Sequence, residues 1–253
     1  MEQVDINVDS LWLLSERGKY GKHKNVYHGN FIPQIPNQLI RRYTNEADTV
    51  LELFAGSGTT LFECERLSRD YIGFDINQAI IEYVEAQMQD CTTISYAIKN
   101  VDVVDKIEFS VTIEDWLMNH KKKCVDFMIA HPPYLDIVKF TEDRRDLSNI
   151  SDVDLFIQKL TLALVNGFRY LKKNGYFAVV AGDVYKNSEV IPLAFLIMNA
   201  VKQHLNVKMK GIVIKNIEGN RGKLGVQNIW KFRALRSDYF LFKHEYIFVF
   251  KKL

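Results

Sequence analysis

The chain has 253 residues, 47% of them hydrophobic and 25% charged, and its net charge is +2. This composition excludes a disordered or fibrous chain, and the length suits one α/β domain over residues 1–253. No apolar run approaches the roughly 18 residues of a membrane span, and Met1–Ser10 lacks the apolar core of a signal peptide, so we expect a cytoplasmic protein without membrane contact.

Hydrophobic periodicity and turn signals divide the first half of the chain into alternating helices and strands. In chain order, the predicted elements are a helix from Asn37 to about Thr44, a strand Thr49–Phe54, a helix from near Thr59, a strand Tyr71–Asp75, a helix Asn77–Gln89, a strand Lys106–Val111 and a helix Trp116–Lys122. A segment punctuated by prolines, which contains the apolar Phe31, precedes the first helix.

The first predicted strand leads into a glycine turn, Ala55-Gly56-Ser57-Gly58-Thr59-Thr60. Without Cβ atoms, Gly56 and Gly58 let the backbone turn sharply and let a ligand lie against it. Asp75 follows about 20 residues later at a strand end, where a carboxylate can hold the two hydroxyls of a ribose. Because the turn lacks the third glycine of a dinucleotide fingerprint and the lysine of a P-loop, it favours an adenosine ligand without phosphates.

A second motif, Ala130-His131-Pro132-Pro133-Tyr134, follows the predicted buried strand Val125–Ile129. Proline has no amide hydrogen and fixes φ, so the backbone here is stiff and its carbonyl groups are free. Ligands bind at the carboxyl ends of strands in an open α/β sheet. The motif therefore predicts a site rather than a simple turn.

The second half of the chain continues the alternation. The predicted elements are a helix from Ser151 to about Lys172, a strand Tyr176–Ala181, a helix from Ile191 to about His204, and the strands Val207–Ile214 and Glu245–Phe250. Repeated alternation predicts crossover connections and a largely parallel sheet. The last two strands are joined by a segment without a convincing helix, which predicts that they pair antiparallel.

Together, these motifs resemble those of the S-adenosylmethionine-dependent amino-methyltransferases, which methylate N6 of adenine or N4 of cytosine in DNA. His131-Pro132-Pro133-Tyr134 is similar to their D/N/S-P-P-Y motif, residues 51–60 to D-P-F-x-G-S-G-T-T, and residues 244–251 to H-E-y-i-l-v-f-r. The motif order is permuted relative to many members, and His131 replaces the usual acid, amide or hydroxyl. The resemblance implies a Rossmann-like methyltransferase fold, with a mostly parallel seven-stranded sheet, a C-terminal antiparallel strand and helices on both faces.

The same resemblance implies S-adenosylmethionine as cofactor, S-adenosylhomocysteine as product and no metal; Cys64, Cys91 and Cys124 lack zinc-ligand spacing. The cofactor-binding residues that it implies are Phe31, Glu52, Phe54, Ala55, Gly56, Ser57, Gly58, Thr59, Asp75 and Asp115. The catalytic residues that it implies are His131, Pro132, Pro133 and Tyr134. For Asp115, capping of the helix Trp116–Lys122 is an alternative.

In this interpretation, the His131 side chain and the Pro132 carbonyl group accept hydrogen bonds from the target amine. His131 must then be unprotonated, so activity should fall as the pH drops through its pKa, which is about 6.5 when unperturbed. Tyr134 would stack on a base flipped out of the duplex. Alternatively, His131 only packs and the carbonyl group acts alone.

A basic segment at about residues 215–243 is the candidate DNA-recognition element. Six basic residues, one acid and three glycines lie between Lys215 and Arg236, which suits an arm along a phosphate backbone. The candidate DNA-binding residues are Arg221, Lys223, Trp230, Lys231, Arg233 and Arg236. Double-stranded DNA is the expected partner. Whether a restriction or specificity partner protein reads the DNA sequence stays open.

Three questions stay open at this level. Adenine and cytosine are both possible targets. A protein of the same fold that methylates an RNA base or a protein amide is one alternative, and a catalytically inactive DNA-binding relative is another.

Overall fold

The computed structural model describes residues 6–14, 16–24, 26–27, 29–217 and 227–253, without the side chains of residues 227, 228, 230 and 233. The helices are α1 Gln34–Tyr43, α2 Thr59–Leu67, α3 Gln78–Gln87, α4 Lys106–Asn119, α5 Val153–Tyr170, α6 Leu193–His204 and α7 Gln227–Arg236. The strands are β1 Leu11–Trp12, β2 Thr49–Glu52, β3 Asp70–Asp75, β4 Tyr96–Asn100, β5 Val125–Ala130, β6 Leu171–Ala181, β7 Val184–Lys186, β8 Glu189–Ile191, β9 Val207–Asn216 and β10 His244–Lys252.

The central sheet has eight strands in the order β1-β9-β10-β6-β5-β2-β3-β4, and β7 pairs with β8 as a separate hairpin. Strands β4, β3, β2, β5 and β6 pair parallel with one another in that order, and β10 lies antiparallel between β6 and β9. The predicted parallel sheet and the antiparallel pairing of the last two strands are therefore confirmed. The sheet has eight strands rather than seven because β1, only two residues long, pairs with Ile214 and Lys215.

Alternate residues of each central strand face opposite sides of the sheet, which explains the continuous apolar runs. In β5, Phe127 and Ile129 pack with the core cluster of α1, α2 and α3, whereas Met128 and Ala130 pack with that of α4, α5 and α6. Helices thus cover both faces, as predicted. Full burial of a side chain such as Phe127 contributes about 1.5–3 kcal/mol to folding.

The predicted strand Lys106–Val111 is wrong, because this segment begins helix α4. The side chain of Asp105 caps the helix by accepting hydrogen bonds from the backbone N–H groups of Ile107 and Glu108, at 2.8 and 3.1 Å. Phe109, Ile113, Trp116 and Leu117 then form one buried stripe at helical spacing. The next strand after β3 is instead β4, which precedes this helix.

A helix also occupies part of the segment between β9 and β10, where none was predicted. Helix α7 spans Gln227–Arg236. Among the described residues, none of the helices combines the length and apolar character that a membrane span requires.

The strand order places a topological switch point between β2 and β5. From β2 the chain moves to β3 and β4 on one side, and then crosses to β5 on the other side of β2. Crossover helices leave a crevice at the carboxyl ends of the two strands where the direction reverses. The two motifs of the sequence, the glycine turn and His131-Pro132-Pro133-Tyr134, follow these two strands.

Candidate active site

An open cleft lies at the switch point. Two of its walls follow neighbouring strands, and the backbone N–H of Leu53 donates to the carbonyl of Ile129 at 3.2 Å, which ties the end of β2 to β5. Of the residues predicted for the site, those lining the cleft are Phe31, Glu52, Phe54, Ala55, Gly56, Thr59, Asp75, His131, Pro132, Pro133 and Tyr134.

The first wall, which we call the glycine-turn wall, consists of residues 52–56 and Asp75. Gly56 has φ +48 and Gly58 has φ +78, so both occupy the left-handed region that favours glycine. Gly58 also begins helix α2 so close to α3 that a Cβ atom would lie 2.9 Å from Cγ1 of Val84. The shape of the turn therefore favours glycine at both positions, and at Gly58 the close approach of Val84 also leaves no room for a side chain.

Asp75 holds the turn in place through backbone groups. Its carboxylate accepts hydrogen bonds from the N–H of Gly56 at 2.7 Å and the N–H of Asn77 at 2.9 Å, one on each oxygen. Burial raises the pKa of Asp75 to about 6 against the opposing effect of these donors. Each oxygen keeps a lone pair for a further donor, because a carboxylate has about four acceptor positions.

Glu52 is buried and its two carboxylate oxygens already have partners within the chain. The hydroxyl groups of Thr60 and Tyr71 donate to it at 2.6 and 2.7 Å. Burial raises the pKa of Glu52 to about 8 because neither partner carries a positive charge. This arrangement favours a role in fixing α2 against the sheet below the cleft.

Three residues of the predicted cofactor set are not among those that line the cleft, namely Ser57, Gly58 and Asp115. The hydroxyl of Ser57 is buried and accepts a hydrogen bond from the Asn30 side chain at 2.8 Å. Asp115 lies exposed within helix α4, because the predicted strand Lys106–Val111 before it is the first part of that helix. It does not cap a helix either, since α4 extends from Lys106 to Asn119.

Asp102, rather than Asp115, is the acid that follows the strand after β3. It follows β4, lines the cleft beside Val101 and Val103, and accepts a hydrogen bond from the N–H of Val104 at 2.9 Å. The sequence feature that could have indicated Asp102 is the short strand Tyr96–Asn100 before it. This strand was not predicted because its apolar pattern is weak. Tyr27 and Asn77 also line the cleft without having been predicted.

The proline-punctuated segment closes one side of the cleft. Arg17 donates to the carbonyl groups of Asn30 and Phe31, at 3.3 and 2.9 Å, and so fixes this segment. The ring of Phe31 then lies 4.9 Å from that of His131. Phe31 therefore connects the N-terminal segment to the second motif.

The second wall, which we call the His131 wall, consists of residues 131–134. Nε2 of His131 lies 3.0 Å from the hydroxyl oxygen of Tyr134. The Tyr134 ring packs on Gly182 after β6, where a Cβ atom would lie 3.0 Å from the ring. Burial lowers the pKa of His131 to about 4, so the ring is neutral at physiological pH.

A buried ion pair lies behind the His131 wall. Lys215 on β9 and Glu245 on β10 are cross-strand partners, and Nζ of Lys215 donates to Oε1 of Glu245 at 3.1 Å. The side chains are 7% and 10% exposed. The hydroxyl of Tyr134 donates to the other oxygen, Oε2, at 3.4 Å.

The candidate DNA-recognition element is only partly described. Arg221 and Lys223 lie outside the described residues, as do the side chains of Trp230 and Arg233. Lys231 and Arg236 are exposed on α7. Among the described residues, no cluster of three or more histidine, cysteine, aspartate or glutamate side chains is arranged to hold a metal ion.

Comparison with known proteins found DNA methyltransferases that resemble this chain over part of its length. Residues 1–86 match the family model described as DNA methylase, N6_N4_Mtase. The type II methyltransferase M.MjaII of Methanocaldococcus jannaschii is 33% identical over 103 residues, which is 40% of this chain and 19% of that protein. The type II methyltransferase M.HpaI of Haemophilus parainfluenzae is 32% identical over 82 residues, which is 32% of this chain and 26% of that protein.

These matches span about a fifth to a quarter of the length of the two curated relatives. Among solved structures, TrmN from Thermus thermophilus superposes with a TM-score of 0.54 at 13% identity, over 89% of this chain and 50% of that one. The predicted fold class is thereby confirmed as Rossmann-like. The resemblance read from the motifs is likewise confirmed, and the chain is similar to the N6/N4 DNA methylases.

Proposed function

We propose that the protein transfers a methyl group from S-adenosylmethionine to an exocyclic amine, N6 of adenine or N4 of cytosine, in DNA. The observation that carries the proposal is the shared cleft, in which the glycine-turn wall and the His131 wall face one space at the switch point between β2 and β5. In this arrangement one wall binds the methyl donor and the other activates the acceptor.

The residues present fit S-adenosylmethionine. Gly56 leaves room for a ligand against the backbone, and Asp75 has free lone pairs at the strand end for two ribose hydroxyls. We assign the contact with the adenine of the cofactor to Asp102, which follows β4 and lines the cleft, in place of Asp115. When bound, the cofactor supplies an electrophilic methyl group on a sulfonium.

The His131 wall provides what a poorly nucleophilic amine needs. The lone pair of the amine is delocalised into the base, and hydrogen-bond acceptors aimed at its two hydrogens favour the pyramidal form that can attack. His131 is neutral, and both His131 and Pro132 line the cleft just beyond the end of β5 at Ala130, where the Pro132 carbonyl lies outside the pairing of that strand. Pro132 and Pro133 keep the two acceptors in fixed positions.

A base in a duplex must leave the stack to enter this cleft, at a cost of a few kcal/mol. We assign contact with the DNA backbone to the segment at about 215–243, whose described part presents Lys231, Phe232 and Arg236 on the surface of α7. Cation contacts with phosphates position the duplex without reading its sequence. Reading of the DNA sequence would come from this segment, from residues 135–150, or from a restriction or specificity partner protein.

The test is transfer of a deuterated methyl group from the cofactor to three acceptors in parallel: duplex DNA, RNA and a protein extract. Mass spectrometry of the nucleosides should find the label on N6 of adenine or N4 of cytosine from DNA. Label only in RNA or in protein amides would overturn the DNA substrate while keeping the fold and cofactor.

The same assay addresses an inactive DNA-binding relative. A His131→Asp variant restores the residue type common in the family motif. If wild type is inactive and His131→Asp gains transfer to DNA, the natural protein is not an enzyme, and the proposal is wrong.

A further inference from the structure

Four polar groups form a continuous chain from the sheet interior to the cleft. Lys215 donates to Glu245, the Tyr134 hydroxyl lies 3.4 Å from the other Glu245 oxygen, and His131 Nε2 lies 3.0 Å from that hydroxyl. We call these four residues the relay. Tyr134 and Glu245 are separated by 111 positions in the sequence.

The donor and acceptor capacities of the relay fix the direction of every hydrogen bond. Lysine only donates and a carboxylate only accepts, so Glu245 must accept a hydrogen bond from each of its two neighbours. The single hydroxyl proton of Tyr134 therefore points to Glu245. The hydroxyl oxygen can then only accept from His131, which requires a hydrogen on Nε2.

A neutral histidine with hydrogen on Nε2 carries a lone pair on Nδ1. His131 lines the cleft, and within the described part of the chain no group bonds to its Nδ1. We propose that Glu245 and Lys215 are positioning residues that hold His131 in the Nε2–H tautomer, so that Nδ1 accepts a hydrogen bond from the target amine. This inference rests on the proposed amine methylation.

A contribution to folding stability does not by itself explain the buried Lys215–Glu245 ion pair. A buried ion pair contributes weakly to folding, because the cost of removing two charges from water offsets their attraction. The orienting carboxylate of a catalytic triad acts in the same way, by selecting the tautomer of a histidine that touches the substrate. Here a tyrosine hydroxyl stands between the carboxylate and the histidine.

Glu245→Gln should reverse the relay while keeping its shape. Because Lys215 only donates, the amide oxygen of the new side chain must face Lys215, and its N–H group must face Tyr134. The hydroxyl proton of Tyr134 would then be donated to Nε2 of His131. The ring would carry its hydrogen on Nδ1 and lose the acceptor that faces the substrate.

The experiment measures the tautomer directly, by long-range 1H–15N correlation NMR of protein labelled with 15N-histidine. The chain has six histidines, and the signals of His131 are those absent from His131→Gln. Wild type should show hydrogen on Nε2, and Glu245→Gln should show it on Nδ1. Hydrogen on Nδ1 in wild type, or no change in the variant, would overturn the relay.

Measurements of kcat provide a second test of the relay. Glu245→Gln should lower kcat by about tenfold, the cost of losing one hydrogen bond to the target amine, with the cofactor Kd unchanged. In a Tyr134→Phe background, Glu245→Gln should have no additional effect on kcat, because the connection is already broken. An additive effect would assign Glu245 a role that does not pass through Tyr134.

Asp126→Asn is the matched control. Asp126 pairs with Lys172 at 2.7 Å near the opposite end of β5, so its loss also removes an ion pair of the sheet. It should change neither the tautomer nor kcat. If Glu245→Gln does not fold, Tyr134→Phe tests the same relay, with a mixture of tautomers expected and an unchanged tautomer contradicting the inference.

The two proposals fail in different ways. The tautomer is read without any methyl acceptor, so a protein that leaves DNA unmethylated can still show the relay. Conversely, DNA methylation with hydrogen on Nδ1 of His131 would overturn the relay alone.

Discussion

The two walls of the cleft are held in place by different kinds of contact. The glycine-turn wall is held by backbone groups and one local acid, since Asp75 bonds to the N–H groups of Gly56 and Asn77. The His131 wall is held by side chains that come from distant strands, since Tyr134 reaches Glu245 and, through it, Lys215.

Two buried glutamates show the same contrast. Glu52, beneath the glycine-turn wall, is bonded by two neutral hydroxyl groups, and burial raises its pKa to about 8. Glu245, behind the His131 wall, is paired with the ammonium of Lys215. Glu52 thus fastens α2 and β3 to each other below the first wall, whereas Glu245 belongs to a chain of polar groups that reaches His131.

The largest effect is expected from removal of the acceptor on the second wall. His131→Ala should lower kcat for methyl transfer by about 100- to 1000-fold, the usual cost of one preorganised polar group at the reacting centre, while the cofactor Kd stays constant. His204→Ala, which removes an exposed histidine at the end of α6, is the control. Equal losses in kcat and in cofactor affinity would mean that the two walls do not divide these tasks.

Asp75→Asn should produce the opposite pattern. Loss of the charged acceptor is expected to weaken cofactor binding by about 10- to 100-fold, from the strength of hydrogen bonds to a charged group, with kcat at saturation little changed. Calorimetry measures the affinity, and Glu85→Gln on the exposed side of α3 is the control. Unchanged affinity would remove Asp75 from the cofactor site.

Gly58→Ala tests whether the first wall depends on backbone shape. The substitution places a side chain at φ +78 and 2.9 Å from Val84, so we expect a loss of about 1–3 kcal/mol in the free energy of unfolding. Urea denaturation measures it. Val84→Ala should recover part of the loss, and Gly211→Ala, where the Cβ meets open space, should cost much less.

The smallest effect is a separation of two pH profiles. Burial raises the pKa of Asp75 to about 6 and lowers the pKa of His131 to about 4. As the pH falls through about 6, Asp75 becomes protonated and the cofactor Kd should rise. At saturating cofactor, kcat should hold until the pH approaches 4, where His131 gains a proton. A common midpoint near 6 for both quantities would contradict the separate roles.

The contrast between the walls also explains what the sequence could predict. The glycine turn and Asp75 form a local pattern, so residue spacing was sufficient to find them. The strand Tyr96–Asn100 was missed and Asp115 was chosen over Asp102, because β4 lies at the sheet edge, where burial leaves little apolar signal. The sequence motif at residues 244–251 included Glu245, but its contact with Tyr134 depends on strand register over 111 positions.

The lowered pKa of His131 could not be predicted from the sequence either. From the sequence, a drop in activity near its unperturbed pKa was expected, whereas burial lowers that pKa to about 4. Burial of a single side chain depends on the packing of Phe31 and Tyr134 around it. Tertiary packing of this kind is not encoded in local spacing.

The most direct test of the two-wall account is an NMR measurement on the protein bound to S-adenosylmethionine carrying a 13C-labelled methyl group. Nuclear Overhauser contacts report which protons lie within a few ångströms of that methyl group. The account predicts contacts from the methyl group to the His131 ring and to Pro132. Contacts restricted to residues of the glycine-turn wall, with none to residues 131–134, would contradict it.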